Sequence, residues 1–313
     1  MKLKLTLLAV IAIAVITAFL FLDLPHNWDF ALPRRAKKVF AITLTGGAIA
    51  YATLIFQTMT NNRILTPSII GLDSLYMLIQ TFVIFTFGAV SLPNTSKELN
   101  FAFTVGIMIL FVALLYRLIF KREGKNLFFL LLVGLVMGTM FGSMTTFMQV
   151  LIDPNEFLIL QGKMFASFNN VHTDMLVFSI ILIGLVVLYA LRFTKYLDAM
   201  SLGKEHAVNL GIPYDYVVKN LLIIVAILIA ISTALVGPIT FLGLLVVNLA
   251  YQFMNTYRHS VLIPGAILIS IIALVGGQLI VERVFSFETT VSVIINFVGG
   301  AYFLYLLLRE SKS

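Results

Sequence analysis

The side chains that could carry chemistry are few and scattered. Histidine occurs at positions 26, 172, 206 and 259, and cysteine is absent. Without cysteine there is no disulfide, no thiolate metal ligand and no thiol nucleophile. No two histidines stand four apart, and no Glu-x-x-His pair occurs, so the sequence gathers no helical metal site. No GxxxxGK[ST] phosphate loop is present. Gly162-Lys163 is followed by Met164, which has no hydroxyl for magnesium. Asp73 is the one carboxylate near the interior of an apolar run. A proton relay would need further ionisable groups at similar depth, and none is visible. Asp73 therefore reads as a cap on free N–H groups at a helix start, near the cytoplasmic end of its span.

These residues must be positioned by apolar helices. Sixty per cent of the 313 residues are hydrophobic and 11% are charged, and the mean hydropathy is +1.05. A water-soluble domain carries roughly a quarter charged residues, so lipid is the solvent for most of this surface. A span needs about 20 apolar residues. That ruler gives ten spans, near 5–22, 39–58, 69–90, 101–120, 127–151, 175–193, 217–236, 241–254, 261–280 and 291–308. The expected class is all-α and polytopic, one membrane domain over 1–313 with short loops. The first run, behind Lys2 and Lys4, reads as a retained helix more than as a signal peptide.

Ten spans place both termini on one side. Two-thirds of the Lys and Arg residues then fall on that side, which the positive-inside rule makes cytoplasmic. The net charge of +7 thus reports topology, and no basic run interleaved with aromatics points to nucleic acid. Arg34, Arg35, Lys37 and Lys38 break the rule by clustering outside. Gly134, Gly138 and Gly142 share one helix face and admit a close backbone neighbour, either within the chain or on another subunit. The longest polar stretch, 192–219, contains Ser201–Gly211, which reads as a short cytoplasmic helix between two glycines. Ala207 and Leu210, three apart, would share its apolar face. Such a helix either folds back on the membrane domain or enters a groove on a cytoplasmic partner. A secondary carrier, a zinc or manganese permease and a membrane-embedded enzyme are the competing classes, and each would need a cluster of ionisable or ligating residues that is not apparent.

Leu202, Gly203, Ala207, Leu210 and Gly211 meet the pattern L-G-x-x-x-A-x-x-L-G. Gly237–Leu244 reads G-P-I-T-F-L-G-L, and Gly299–Leu308 reads G-G-A-Y-F-L-Y-L-L-L. Gln57, Asn61-Asn62 and Pro67–Gly71 fit a fourth conserved-type region. Through these motifs residues 30–309 resemble the permease subunits of bacterial iron-siderophore and vitamin B12 ABC importers. The family's Pro-His after G-L-x-x is Val247-Asn248 here. Its N-P-L-A turn is Asn62-Arg63-Ile64-Leu65, and its small residues after Gly71 are Leu75 and Tyr76. This version is similar to one of two non-identical permeases in importers of catecholate-type siderophores such as petrobactin or anguibactin.

The resemblance implies a type II ABC importer permease in the bacterial cytoplasmic membrane. It implies no cofactor and no catalysis by this chain. Cytoplasmic ATPase subunits would supply the energy through 192–219, with Leu202, Gly203, Glu205, Ala207, Leu210 and Gly211 as the coupling contacts. An extracellular substrate-binding lipoprotein would dock on Arg35, Lys38 and Arg283. Gln57, Tyr76 and Asn248 would belong to the path or to the interface with a second permease. Ferric siderophore is the implied substrate, with vitamin B12, haem, zinc or manganese as alternatives.

Overall fold

The computed structural model describes residues 1–23, 27–88, 96–120, 127–169, 171 and 173–310. Among these the regular structure is helical, with no strand. The chain runs through α1 (Lys2–Phe21), α2 (Trp28–Thr60), a 3-10 turn (Pro67–Ile70), α3 (Leu72–Phe87) and α4 (Lys97–Phe120). It continues through α5 (Leu127–Leu151), α6 (Pro154–Met164), α7 (Thr173–Ala190), a second 3-10 turn (Leu191–Phe193), α8 (Thr194–Met200) and α9 (Lys204–Asn209). Last come α10 (Tyr214–Val236), α11 (Leu242–Met254), α12 (His259–Arg283) and α13 (Val291–Glu310). Among the described residues eight helices are long and apolar enough to cross a membrane, while α3 and α11 are apolar but shorter. Each of the ten expected spans falls on one of these.

Boundaries move where polarity and helicity part company. α2 begins eleven residues before its expected start at position 39, because Arg34, Arg35, Lys37 and Lys38 lower the hydropathy without breaking the helix. Its 33 residues extend about 50 Å at 1.5 Å each, well beyond a hydrocarbon core of about 30 Å. α6 was not expected. It lies inside the polar stretch after Asp153, whose side chain accepts from the Asn155 N–H at 2.9 Å, with Pro154 in the first helical position.

α2 and α10 form the buried axis. Of the most apolar 18-residue window in each, 72% is buried, against 17–22% in α1, α5, the α7–α8 stretch and α13. The latter helices are left to face lipid or partner. α12 lies along α2 and approaches it closely at Gly46, where a Cβ would sit 2.7 Å from both Leu274 Cδ1 and Ser270 Oγ. The α5 glycines divide. A Cβ at Gly134 would come within 2.7 Å of Ile70 Cα, and Gly138 packs on Gly71, whereas Gly142 faces open space.

Two stretches interrupt the helices of the bundle. α11 has 13 residues and rises only about 20 Å. The segment before it turns at Gly237 (φ 101°), and the Val236 carbonyl accepts from the Ser167 N–H at 2.8 Å. The Phe241 N–H donates to Asn296 Oδ1 at 3.3 Å. The stretch 61–71 is the second break, entered through left-handed Asn61 (φ 50°). Buried irregular backbone of this kind needs protein partners for its polar groups.

Candidate functional site

The two breaks face one another. Gln57 Nε2 and Asn248 Nδ2 both donate to the Arg63 carbonyl, at 2.7 and 2.9 Å. The Arg63 guanidinium lies over the Tyr251 and Tyr257 rings, 4.4 and 5.3 Å from their centroids. Thr240 Oγ1 donates to Asp73 Oδ2 at 3.2 Å, and Ser68 bonds the same carboxylate. Asp73 therefore does not cap α3, contrary to the sequence reading. The cap position is Gly71, no side-chain cap bond forms, and the carboxylate joins α3 to the segment before α11.

Tyr76, like Gln57 and Asn248, is buried within the chain. Gln57, Tyr76 and Asn248 are 2%, 6% and 6% exposed. Tyr76 lines a cavity of about 250 Å³ with Gln80, Asn100, Phe101 and Lys163. Lys163 Nζ donates to Gln80 Oε1 at 3.0 Å, and Gln80 Nε2 donates to Asn100 Oδ1 and Thr104 Oγ1 at 2.9 and 3.0 Å. Burial pushes the Lys163 ammonium down to about 8, because a low-dielectric site penalises the charged form. Further polar groups face outward on α5. Thr139, Ser143 and Thr146 are exposed along one face beside Gly142, each bonding back to the carbonyl four residues earlier.

Arg35, Lys38 and Arg283 come together at one end of the bundle, and each has partners within the chain. Arg35 Nη1 donates to the Leu20 and Leu22 carbonyls at 2.9 and 2.8 Å, and Nη2 to that of Asp23 at 3.2 Å. It satisfies the orphan carbonyls at the C-terminus of α1. Arg283 Nη2 donates to the Leu22 carbonyl at 2.6 Å, and Nη1 pairs with Asp23 Oδ2 at 3.1 Å. Lys38 Nζ pairs with Glu282 Oε1 at 2.7 Å, the two side chains only 14% and 11% exposed. Phe30, Arg34, Arg35, Lys38, Asn169, Glu282 and Phe287 surround a recess of about 390 Å³. Glu282 was not anticipated, since only Arg283 beside it fitted a motif.

The 201–211 segment lies at the opposite end. Gly203 (φ 102°) and Gly211 (φ 78°) bracket α9 in conformations that favour glycine. Ala207 is fully buried, whereas Leu202 and Leu210 are 59% and 63% exposed. The sequence expectation that Ala207 and Leu210 share a face is thus corrected: the backbone leaves α9 at Leu210, and the leucine turns outward. Glu205 is exposed on the same short helix. The segment both rests on the bundle and presents apolar side chains away from it.

This geometry defines a class: a helical membrane permease with broken helices inside, a cation-bordered recess at one end and an apolar projecting helix at the other. The chain belongs to the FecCD transport family, whose model matches residues 3–309. It is 64% identical over 312 residues to the petrobactin import system permease protein YclO of Bacillus subtilis (strain 168), covering 100% of this chain and 99% of that protein. It is 39% identical to the petrobactin import system permease protein FatC of Bacillus anthracis, over 88% of this chain and 78% of that protein. A solved structure described as an inward-facing conformation of the metal-chelate type of ABC transporter matches with a TM-score of 0.85 and 19% identity. It covers 98% of this chain and 99% of that one, and it supports the fold.

Proposed function

We propose that this chain is one of two non-identical permeases of a bacterial importer for ferric siderophore of the petrobactin type. The carrying observation is the 64% identity, end to end, with a petrobactin import permease. ATP is hydrolysed by separate cytoplasmic subunits that meet Leu202 and Leu210 on the projecting segment. Glu205 lies on that rim, and Gly203, Ala207 and Gly211 hold its shape. Both termini are cytoplasmic in this reading, so the recess lined by Arg34, Arg35 and Lys38, with Arg283 beside Glu282, opens outside, where a substrate-binding lipoprotein delivers the chelate. The internal bonds of these three cations shape the recess, and exposed Arg34 is the cation best placed to touch the lipoprotein. Gln57, Tyr76 and Asn248 support the path from behind. The exposed hydroxyls of α5 face the second permease across it.

Deleting the gene for this chain in its host tests the reading. Growth on ferric petrobactin as sole iron source should stop, and a tagged copy should restore growth and bring down an ATPase and a second, different permease. Normal growth of the deletion strain on that chelate, or recovery of a tagged homodimer, contradicts it.

A further inference from the structure

α2 and α12 are joined at both ends. At the Arg35 end the joint is the Lys38–Glu282 ion pair. At the other end it is His259, the first residue of α12, which is 2% exposed. Its Nε2 is 2.7 Å from Thr58 Oγ1 in the last turn of α2. Its Nδ1 and its backbone N–H both meet Asp198 Oδ1, at 2.6 and 2.8 Å. Asp198 belongs to α8, five residues ahead of Gly203. One imidazole thus ties three elements, α2, α12 and the lead-in to the 201–211 segment.

A second tie runs beside it. Asn61, which closes α2 in the left-handed conformation, sets its amide against the same segment. With nitrogen toward the Ser201 carbonyl it donates there, and its oxygen accepts from the Gly203 N–H, each at 3.1 Å. The bonding pattern fixes that orientation. Hydrogen bonds to a charged group are directional, and the buried imidazole is costly to leave without its partners. The segment is therefore fastened to the base of α2 and α12 at two points, while its own helix, six residues long, is too short to be rigid by itself.

We propose that His259 is the positioning residue that fastens the 201–211 segment to the paired helices α2 and α12, so that an ATPase displacing the segment moves both helices as one body. This rests on the reading of 201–211 as the ATPase contact. The Asp198–His259–Thr58 chain then carries motion from one membrane face toward the Lys38–Glu282 joint at the other. Ala207, buried beneath α9, supplies packing, and the polar chain supplies direction.

The test uses the complete importer, with both permeases, ATPase and binding protein, in proteoliposomes. Chelate imported and ATP hydrolysed are measured together. His259→Phe keeps a ring in the slot without polar atoms. The expected result is binding-protein-stimulated ATP hydrolysis near the wild-type rate, with chelate imported per ATP down by about tenfold or more, the scale of a lost hydrogen bond to a charged group. Asp198→Ala, at a side chain 56% exposed and hence tolerant of change, should lower the same ratio, and it decides the matter if His259→Phe does not assemble. A wild-type ratio in Asp198→Ala, or in an assembled His259→Phe complex, overturns the proposal, because a merely structural role would alter yield or melting and leave stoichiometry alone. If the wild-type complex hydrolyses ATP without importing chelate, the function reading fails instead.

Discussion

At the scale of single residues, the clearest case is Lys38 with Glu282. At 2.7 Å, with the side chains 14% and 11% exposed, this is a part-buried pair on the wall of the recess. Removing one partner leaves the other unpaired. Lys38→Met should therefore destabilise the chain by about 1–3 kcal/mol, and Lys38→Met with Glu282→Gln should recover most of it. Melting of the two variants in detergent checks this, and equal losses would show the pair to be uncoupled. Lys163 gives a prediction in pH. Burial holds its pKa near 8, so acylation by an amine reagent should be half-maximal about pH 8, while exposed lysines respond near 10.4. The sign follows for stability as well. Between those two values the unfolded chain binds a proton that the folded chain does not, so stability contributed by this site rises with pH through that window. Neither feature was legible in the sequence: Glu282 lies 244 positions from Lys38 and belongs to no motif, and Lys163 stood out only as a failed phosphate loop.

At the scale of elements, the sequence told most where one physical property dominated. Ten spans were readable because an uninterrupted apolar run has few alternatives to a membrane helix. The start of α2 was not, because four cations on a continuing helix look like a loop to hydropathy. α6 was hidden for the same reason, although Asp153-Pro154 is a helix-start signal that could have revealed it. The three α5 glycines looked equivalent at four-residue spacing, and only tertiary packing separates them. Gly134 has Ile70 backbone against it and Gly142 has nothing. Gly134→Val should therefore lower the melting temperature and yield of the isolated chain, while Gly142→Val should leave both unchanged and weaken association with the second permease. Co-purification at matched expression separates these outcomes. Equal destabilisation by the two changes would contradict the close approach of the Pro67–Ile70 turn to α5. Nothing in the sequence singles out His259 from the other histidines, since its partners, Asp198 and Thr58, are 61 and 201 positions away.

At the scale of the whole molecule, the resemblance carried by four short motifs was enough to give the family, and family membership now rests on a match over residues 3–309. The motifs could not show which residues are load paths and which are surfaces. Arg35, for example, is spent on the end of α1, and Gln57 and Asn248 are spent on one carbonyl. What emerges is a bundle with α2 and α10 at its axis, poorly covered helices around it, and α2 and α12 pinned at both ends. The claim that this bundle imports ferric siderophore as half of an unlike pair is tested most directly by reconstitution. Proteoliposomes containing the chain, its second permease and the ATPase receive binding protein loaded with 55Fe-petrobactin. The account predicts ATP-dependent accumulation of 55Fe that disappears when either permease is omitted; full uptake from this chain without the second permease, or uptake of vitamin B12 or manganese but not of the chelate, would contradict it.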